Sequence, residues 1–558
     1  MKHTIPLITA LLLVPPSALR AAEAQISQST TSETRTSDAQ AERTRVPPVS
    51  RVDVRLKIDR MLGGQLPVGF YIYLYNWKQF KNPSEHDLDD ALMEIARRGF
   101  NYLYVGGVTE DNALWQKLLE SCVRHRIVVV PQLEFAYMQP QSDIPALVSK
   151  AAPFIRKYKT HPAVLAFSVR EEPFTVELTR MLQKYYKGIL HEVPDAPLHL
   201  VHDYLGPLKA MEPPYPAILG TDRYAFWWEF GSGGHRATPS YALNWFRGQM
   251  DAYYQETAAR GAEFQAVFTA DTLESFATPE SVRKSFYPDM SEAQRDKYLA
   301  NVERNAKNKN LGWDHGPQGL FRYWKYYRPP ANCVRAMGWL SVLEGARSLA
   351  VWHWGPLNES MQDFAYRQTG RPGREYGCSI TGWDGKGTPQ LDEYTSFAGE
   401  IRRYGKLIRA MTKEYTVENK SAVVQQPATP PISIKDEHAC WRSFRVDGFA
   451  GRVVVVVNTR VGQWCEGRSP GFLSPNDVYR IDDRGDLMDY KPFDQPRAVN
   501  FRILASGVDC VDLSQGTSMS VGDDSSLSVS VMPGGGRFLF LSPKGSEELA
   551  RLKQQFGL

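Results

Sequence analysis

Cysteine is scarce and scattered in this chain. The six residues, Cys122, Cys333, Cys378, Cys440, Cys465 and Cys510, form no CxxC pair, which argues against a zinc cluster. Cys440 and Cys465 share a late region and are open to pairing in an oxidising compartment. Charge of one sign is lacking too: 66 Lys and Arg against 62 Asp and Glu leave only +4 over 558 residues. Nothing there implies a nucleic-acid partner. No GxGxxG follows an early strand-like run, and neither a GxSxG elbow nor an HExxH pair occurs. Those gaps disfavour a dinucleotide-binding open sheet, an α/β-hydrolase esterase and a helix-borne zinc protease. Beyond the N-terminus no apolar run is long enough to cross a bilayer, which takes roughly 20 residues, so no membrane partner is expected.

The N-terminus itself has the pattern of an export signal. Lys2 and His3 precede the short apolar run Ile5–Val14, and Ala22-Glu23-Ala24 has the small-x-small form of a cleavage site. Residues 1–24 are expected to be a signal peptide, which makes the protein secreted or periplasmic. Residues 25–52 are rich in Ser, Thr, Gln, Glu and Arg and poor in large apolar side chains, the composition of a disordered linker.

From there a beat repeats. Apolar, β-rich runs occur at Val68–Tyr75, Tyr102–Val105, Ile127–Leu133, Val164–Val169, Leu198–His202, Ala217–Thr221, Phe264–Thr269 and Ser348–Trp354. Between them lie amphipathic stretches such as Leu88–Arg98, Asn112–Arg124 and Val334–Leu343. Runs apolar on both faces are typical of parallel strands covered by helices. Eight such units predict a closed (β/α)8 barrel, a TIM barrel, over residues 53–414. The long polar stretch from about 272 to 325, with a charged helical middle at Ser291–Lys309 and aromatics near Phe321–Tyr327, reads as a functional lid or a surface excursion. From 415 to 558 helical periodicity gives way to short alternating runs: Trp441–Val446, Arg452–Val457, Val478–Asp482, Val508–Leu513, Leu527–Met532 and Arg537–Leu541. Punctuated by Gly and Pro, they predict a small antiparallel β-sandwich.

Barrels carry their chemistry on the loops after their strands. Carboxylates crowd those positions here: Glu134 after the third run, Glu171 and Glu172 after the fourth, Asp203 after His202, Asp222 after the sixth, Asp271 after the seventh. Aromatics stand among them, namely Tyr224, Trp227, Trp228, Trp352 and Trp354. Paired acids amid aromatic walls suit glycosidic cleavage, in which one carboxyl protonates the leaving oxygen and the other acts as nucleophile or base. Glu134, Glu171, His202, Tyr224, Trp227, Trp352 and Trp354 are expected to contact substrate, and the chemistry needs no cofactor. Blander roles compete: Glu172 paired with Arg170, Asp222 with Arg223 or capping a helix, Asp271-Thr272 as a cap, His202 as a structural histidine. A metal set from Glu134, His202, Asp203 and Asp222 is the alternative chemistry, though the histidines lack close ligand spacing. Glu344, inside a helix, is expected to lie outside the site.

The segment Val164-Leu-Ala-Phe-Ser-Val-Arg-Glu-Glu-Pro173 resembles the strand-4 segment of the large clan of retaining glycoside hydrolases built on (β/α)8 barrels. The segment Ala217–Trp228 resembles that clan's strand 6, and Arg335–Trp354 resembles the passage into strand 8 of barrels acting on galactosides and agar-like polymers. The resemblance implies that Glu172 is the general acid/base, that Tyr224 holds the nucleophile and that the substrate is a poly- or oligosaccharide. Two positions depart from it. Glu171 replaces an Asn that contacts the sugar 2-hydroxyl, and strand 7 offers Asp271 where the clan has a nucleophilic Glu. Asp222 is the first choice of partner for Glu172, Asp271 the second. A barrel that binds carbohydrate without cleaving it remains the other reading; oligomeric state carries no signal in the sequence.

Overall fold

In this computed structural model residues 49–74, 85–109, 113–226, 239–270, 273–277, 321–326, 328–354, 380, 387–414, 430–464, 490–519 and 525–558 are described. All eight expected runs form strands of one closed parallel barrel. They are β1 (Val68–Tyr73), β2 (Tyr102–Val108), β3 (Val128–Leu133), β4 (Phe167–Ser168), β5 (Leu198–His202), β6 (Ile218–Asp222), β7 (Glu263–Thr269) and, after a hairpin, β10 (Ser348–Trp352). Closure comes where β10 pairs with both β7 and β1, Val68 opposite Leu349.

The apolar runs split by parity, as the two-residue strand period requires. Phe70, Leu103, Val105, Val129, Leu200, Phe264 and Phe268 face out into the core shared with the helices. Tyr71, Tyr102, Tyr104, Val128, Val130, Val201, Ile218 and Val267 face in. Barrel interiors are mostly filled with Val, Ile and Leu, so the three tyrosines give this one a partly polar interior. Tyr71 stacks on Tyr104 at 4.2 Å, and His199 Nε2 lies 2.7 Å from Gln265 Oε1. Burial pushes the His199 imidazole down to about 4.

Helix α1 (Val49–Leu62) closes the lower end. Val54, Ile58 and Leu62, spaced four apart on one face, join the inner core. Lys57 donates to the backbone carbonyls of Lys159 and Val164. The first four residues of this helix lie inside the segment expected to be linker. The wall includes α2 (Glu85–Arg97), α3 (Ala113–His125), α4 (Ile144–Tyr158), α5 (Val176–Glu192), α6 (Leu205–Lys209), α7 (Pro239–Ala259), α8 (Ala331–Leu343) and α9 (Pro389–Ile401). Among the described residues no helix is long and apolar enough to cross a membrane.

Close packing leaves Gly69 no room for a side chain: a Cβ there would sit 1.7 Å from the Tyr102 carbonyl oxygen. Gly69→Ala is expected to cost about 3 kcal/mol or more, the upper end of overpacking, read as a fall in the urea midpoint. An unchanged midpoint would mean that β1 and β2 do not meet at this register.

The polar stretch after β7 contributes an antiparallel pair, β8 (Leu273–Ala277) with β9 (Phe321–Tyr326); the helix expected at Ser291–Lys309 lies outside the described residues. The C-terminal region is an all-β, sandwich-like unit. Its strands are β11 (Met411–Lys413), β12 (Ile432–Ser433), β13 (Ala439–Val446), β14 (Arg452–Asn458), β15 (Gly462–Trp464), β16 (Tyr490–Pro492), β17 (Arg497–Ile503), β18 (Val508–Asp512), β19 (Thr517–Met519), β20 (Ser526–Val531) and β21 (Gly536–Pro543). A six-stranded sheet ordered β11-β13-β14-β21-β18-β19 packs on a three-stranded one, β12-β17-β20. The run Val453–Val457 is unbroken because both faces of β14 are buried. Val454 and Val456 meet Phe501 and Val529 of the second sheet, while Val453, Val455 and Val457 join the core that is continuous with the barrel. Strand β17 was not anticipated; its alternation Arg-Ala-Val-Asn-Phe-Arg-Ile buries only Val499, Phe501 and Ile503. The run Val478–Asp482 and Cys465 lie outside the described residues, and Cys440 is a free thiol.

Candidate active site

Asp222 ends β6 at an inward position, in phase with Ile218 and Gly220. The parity that places Ile218 in the inner core therefore places a carboxyl at the top of the barrel. It is 8% exposed. Tyr224 donates its hydroxyl to Asp222 Oδ2 at 2.9 Å. The Glu172 carboxyl faces that of Asp222 at close range, and two carboxyls so near one another do not both ionise readily. Burial holds the Asp222 carboxyl well above the usual carboxylate range; Glu172, and behind it Asp203, push the same way.

Glu172 reaches this position from a short strand. β4 is only Phe167–Ser168, after which the chain turns over the mouth. Glu172 takes φ +44°, a left-handed conformation costly for a residue with a side chain, and its N–H donates to the Val201 carbonyl at 2.9 Å. Such strain collects at functional positions. Glu171 sits beside it, its carboxyl accepting from Gln132 Nε2 at 2.9 Å.

The cations expected to neutralise these acids are engaged elsewhere. Arg170 is buried, donates to the Met138 carbonyl at 2.8 Å and lies over the Tyr137 ring at 5.2 Å. Arg223 pairs with Asp203 at 2.8 Å and donates to the Tyr253 hydroxyl at 3.1 Å. Neither therefore supplies the ion pair that would make Glu172 or Asp222 a structural residue.

Aromatic side chains wall the mouth opposite. Tyr224 and Trp352 lie near-parallel, centroids 6.2 Å apart. Trp352 Nε1 donates to the Tyr73 hydroxyl at 2.9 Å, which ties the wall to β1. Glu134 opens the turn after β3 and is exposed on the rim.

Two residues expected to contact substrate are not brought to the mouth. His202 shares the outward parity of Leu198 and Leu200. It is fully buried, and burial, with Arg260 nearby, pushes its imidazole down to about 3. Trp354 turns into the outer core, 7% exposed, 5.0 Å from Phe70. Asp271 and Trp227 lie outside the described residues. Conversely, Tyr71, Tyr73, Tyr104 and Gln132 belong to the inner face and went unnoticed. Their signal was tyrosine at alternate positions of β1 and β2 (Tyr71 and Tyr73, Tyr102 and Tyr104) and a lone glutamine, Gln132, in the otherwise apolar β3.

Glu344 lies away from the mouth, as expected, in an ion cluster between barrel and sandwich. Among the described residues no group of three or more His, Cys, Asp or Glu side chains is placed to hold a metal. With His202 facing away, the four-ligand set weighed from sequence does not converge.

No protein-family model matches the sequence, and no curated protein matches it either. Solved structures with a similar course include one described as a glycoside hydrolase: 8% identity, 86% of this chain and 93% of that one covered, TM-score 0.43. An Anoxybacillus alpha-amylase is similar at 10% identity, with 87% and 99% covered and a TM-score of 0.42. Alpha-galactosidase I from Mortierella vinacea is similar at 9% identity, with 87% and 99% covered and a TM-score of 0.38. At such identities and scores the likeness carries no chemistry.

Proposed function

We propose that this chain is a glycoside hydrolase that cleaves O-glycosidic bonds of a poly- or oligosaccharide, with Asp222 as general acid and Glu172 as nucleophile. The observation that carries the reading is the close approach of these two carboxyls at an aromatic-walled barrel mouth. Sequence resemblance gives the acid role to Glu172; burial argues for the reverse. Asp222 is the more deeply buried of the two, and burial holds its carboxyl well above its usual range, which suits it to carry the proton. A buried acid that retains its proton at neutral pH is suited to protonating a leaving oxygen.

The steps follow from that assignment. A sugar entering the mouth separates the two carboxyls. Asp222 gives its proton to the glycosidic oxygen as the bond to the anomeric carbon breaks. Glu172 attacks that carbon and forms a glycosyl ester. The aglycone leaves, and the Asp222 carboxylate takes a proton from water, whose oxygen displaces Glu172. Both groups return to their starting states. Tyr224, bound to Asp222 Oδ2, keeps the acid aimed inward, and the Tyr224–Trp352 pair offers an apolar face to the ring.

Spacing favours net retention. Retaining pairs stand about 5 Å apart and inverting pairs roughly 6.5–9.5 Å, with a water between. Carboxyls that begin close together reach the shorter separation first. The first-formed anomer, followed by proton NMR, is expected to match the substrate; the opposite anomer would remove Glu172 as nucleophile.

The reading as a whole is tested by release of new reducing ends from a panel of plant, algal and microbial glycans. Turnover of at least one glycan is expected. Binding across the panel with no turnover would support a carbohydrate-binding barrel instead. The leader-like N-terminus, Lys2 and His3 before Ile5–Val14, supports a site of action outside the cytoplasm.

A further inference from the structure

Glu171 is the third carboxyl at the mouth, and the two-step mechanism does not use it. The resemblance puts a sugar-contacting side chain at this position, but the geometry turns it elsewhere. Its carboxyl accepts from Gln132 on β3 at 2.9 Å and is faced by the hydroxyls of Tyr71 on β1 and Tyr104 on β2. Both tyrosines belong to the inner core. The Glu171 backbone N–H donates to the Tyr137 hydroxyl at 3.1 Å. One residue is thus tied to three strands on one side of the barrel, while its neighbour Glu172 meets Asp222 of β6 on the other.

We propose that Glu171 is a positioning residue: its carboxyl caps the polar interior of the barrel and, with Tyr137, fixes the turn after β4 so that Glu172 faces Asp222, without touching the sugar. The inference rests on the reading of Glu172 and Asp222 as the reacting pair. A cap of this kind works as a neutral group. An ionised Glu171 would repel Glu172 beside it, and the partners that face it, Gln132, Tyr71 and Tyr104, bring no positive charge. Tyr102 lies below within electrostatic reach, and Tyr137 flanks the turn. Arg170, the cation nearest in sequence, is spent on Met138 and Tyr137. Burial, then Glu172, pushes the Glu171 carboxyl up to about 8, which keeps it protonated in neutral solution.

Glu171→Gln preserves the shape and hydrogen bonding of the neutral acid and cannot ionise. Its KM is expected to stay within about twofold of wild type, and its activity to persist above pH 8, where wild type declines. Tyr137→Phe frees the Glu171 N–H at unchanged charge and is expected to lower kcat severalfold at constant KM. An arm without substrate separates this inference from the hydrolase reading. A carboxyl raised in the folded state from 4.5 to about 8 contributes stability below pH 4.5 that is lost as pH rises toward 8. The melting temperature of Glu171→Gln relative to wild type should therefore climb across that window, even if no glycan is ever cleaved. A KM raised about tenfold in Glu171→Gln with an unshifted pH profile would make Glu171 a sugar ligand and overturn the proposal. A melting difference that is flat with pH would overturn it as well.

Discussion

Glu172→Gln and Asp222→Asn are each expected to lower kcat/KM by about 10²–10⁴-fold, the span that a positioned acid or base supplies. The two variants should differ in kind. On the proposed assignment Asp222 delivers a proton to the leaving oxygen, so Asp222→Asn should lose least on aryl glycosides or glycosyl fluorides, whose leaving groups depart without protonation. On the same assignment Glu172 forms the bond to the anomeric carbon, so no leaving group should rescue Glu172→Gln. External azide should partly restore a Glu172 variant truncated to Gly, and the product would then be a glycosyl azide of inverted configuration. Both Gln and Asn preserve size, and neither leaves an unpaired cation, because Arg170 and Arg223 are engaged elsewhere. Loss of activity should therefore come without loss of fold, to be checked by thermal unfolding. If the two variants respond identically to leaving-group ability, the separate roles assigned to these carboxyls are wrong.

A large stability effect is expected far from the mouth. Glu344 follows α8 and is fully buried, 0% exposed. Arg247 Nε donates to its Oε1 at 2.9 Å, while Lys413 and Arg442 reach its Oε2. Arg247 lies on α7, Lys413 on β11 and Arg442 on β13, so this single carboxylate ties the barrel wall to the six-stranded sheet. Burial alone would raise the carboxyl; Lys413, Arg442 and Arg247 outweigh it and hold it at about 2. Glu344→Ala leaves the buried Lys413 and the part-buried Arg247 and Arg442 with Asp251 as the acid remaining among them, and should cost about 3 kcal/mol, the lower end for removing one partner of a buried pair. Urea unfolding at neutral pH reads this. Because the folded-state pKa is depressed, the contribution is present above pH 4.5 and is lost as pH falls toward 2. The gap between wild type and variant should close over that acid window. A neutral-pH cost below about 1 kcal/mol would mean that the cluster is solvated like a surface pair.

Barrel strands were legible in the sequence because parallel strands buried on both faces leave unbroken apolar runs, as in Val128–Val130 or Ala266–Phe268. The site was legible at the level of its rim, since carboxylates at strand ends have few structural reasons to cluster there. What the sequence hid was phase. His202 and Asp222 both close a strand, yet one points out and the other in. A shift of one residue decides between a helix-facing histidine and a site acid. Trp352 and Trp354 share one parity in the sequence, but the chain leaves strand geometry after Trp352 and sends the second indole outward. At β4 the strand is so short that parity gives no guide to Glu171 or Glu172. Choice of ion partner was hidden for a similar reason. Arg170 and Arg223 neighbour the acids in sequence but find better acceptors across the fold, in the Met138 carbonyl and Asp203. Strand β17, central in its small sheet, resembled a loop because only one of its faces is covered and Asn500 and Arg502 on the other are exposed.

All of this returns to whether Glu172 bonds to sugar. The direct measurement uses the 2-deoxy-2-fluoro glycosyl fluoride of whichever sugar the glycan panel identifies, followed by mass spectrometry of the digested protein. The account predicts a time-dependent loss of activity and a single added glycosyl mass on the peptide that contains Glu172. A mass on a peptide carrying Asp222 or Asp271, with Glu172 unmodified, would contradict it.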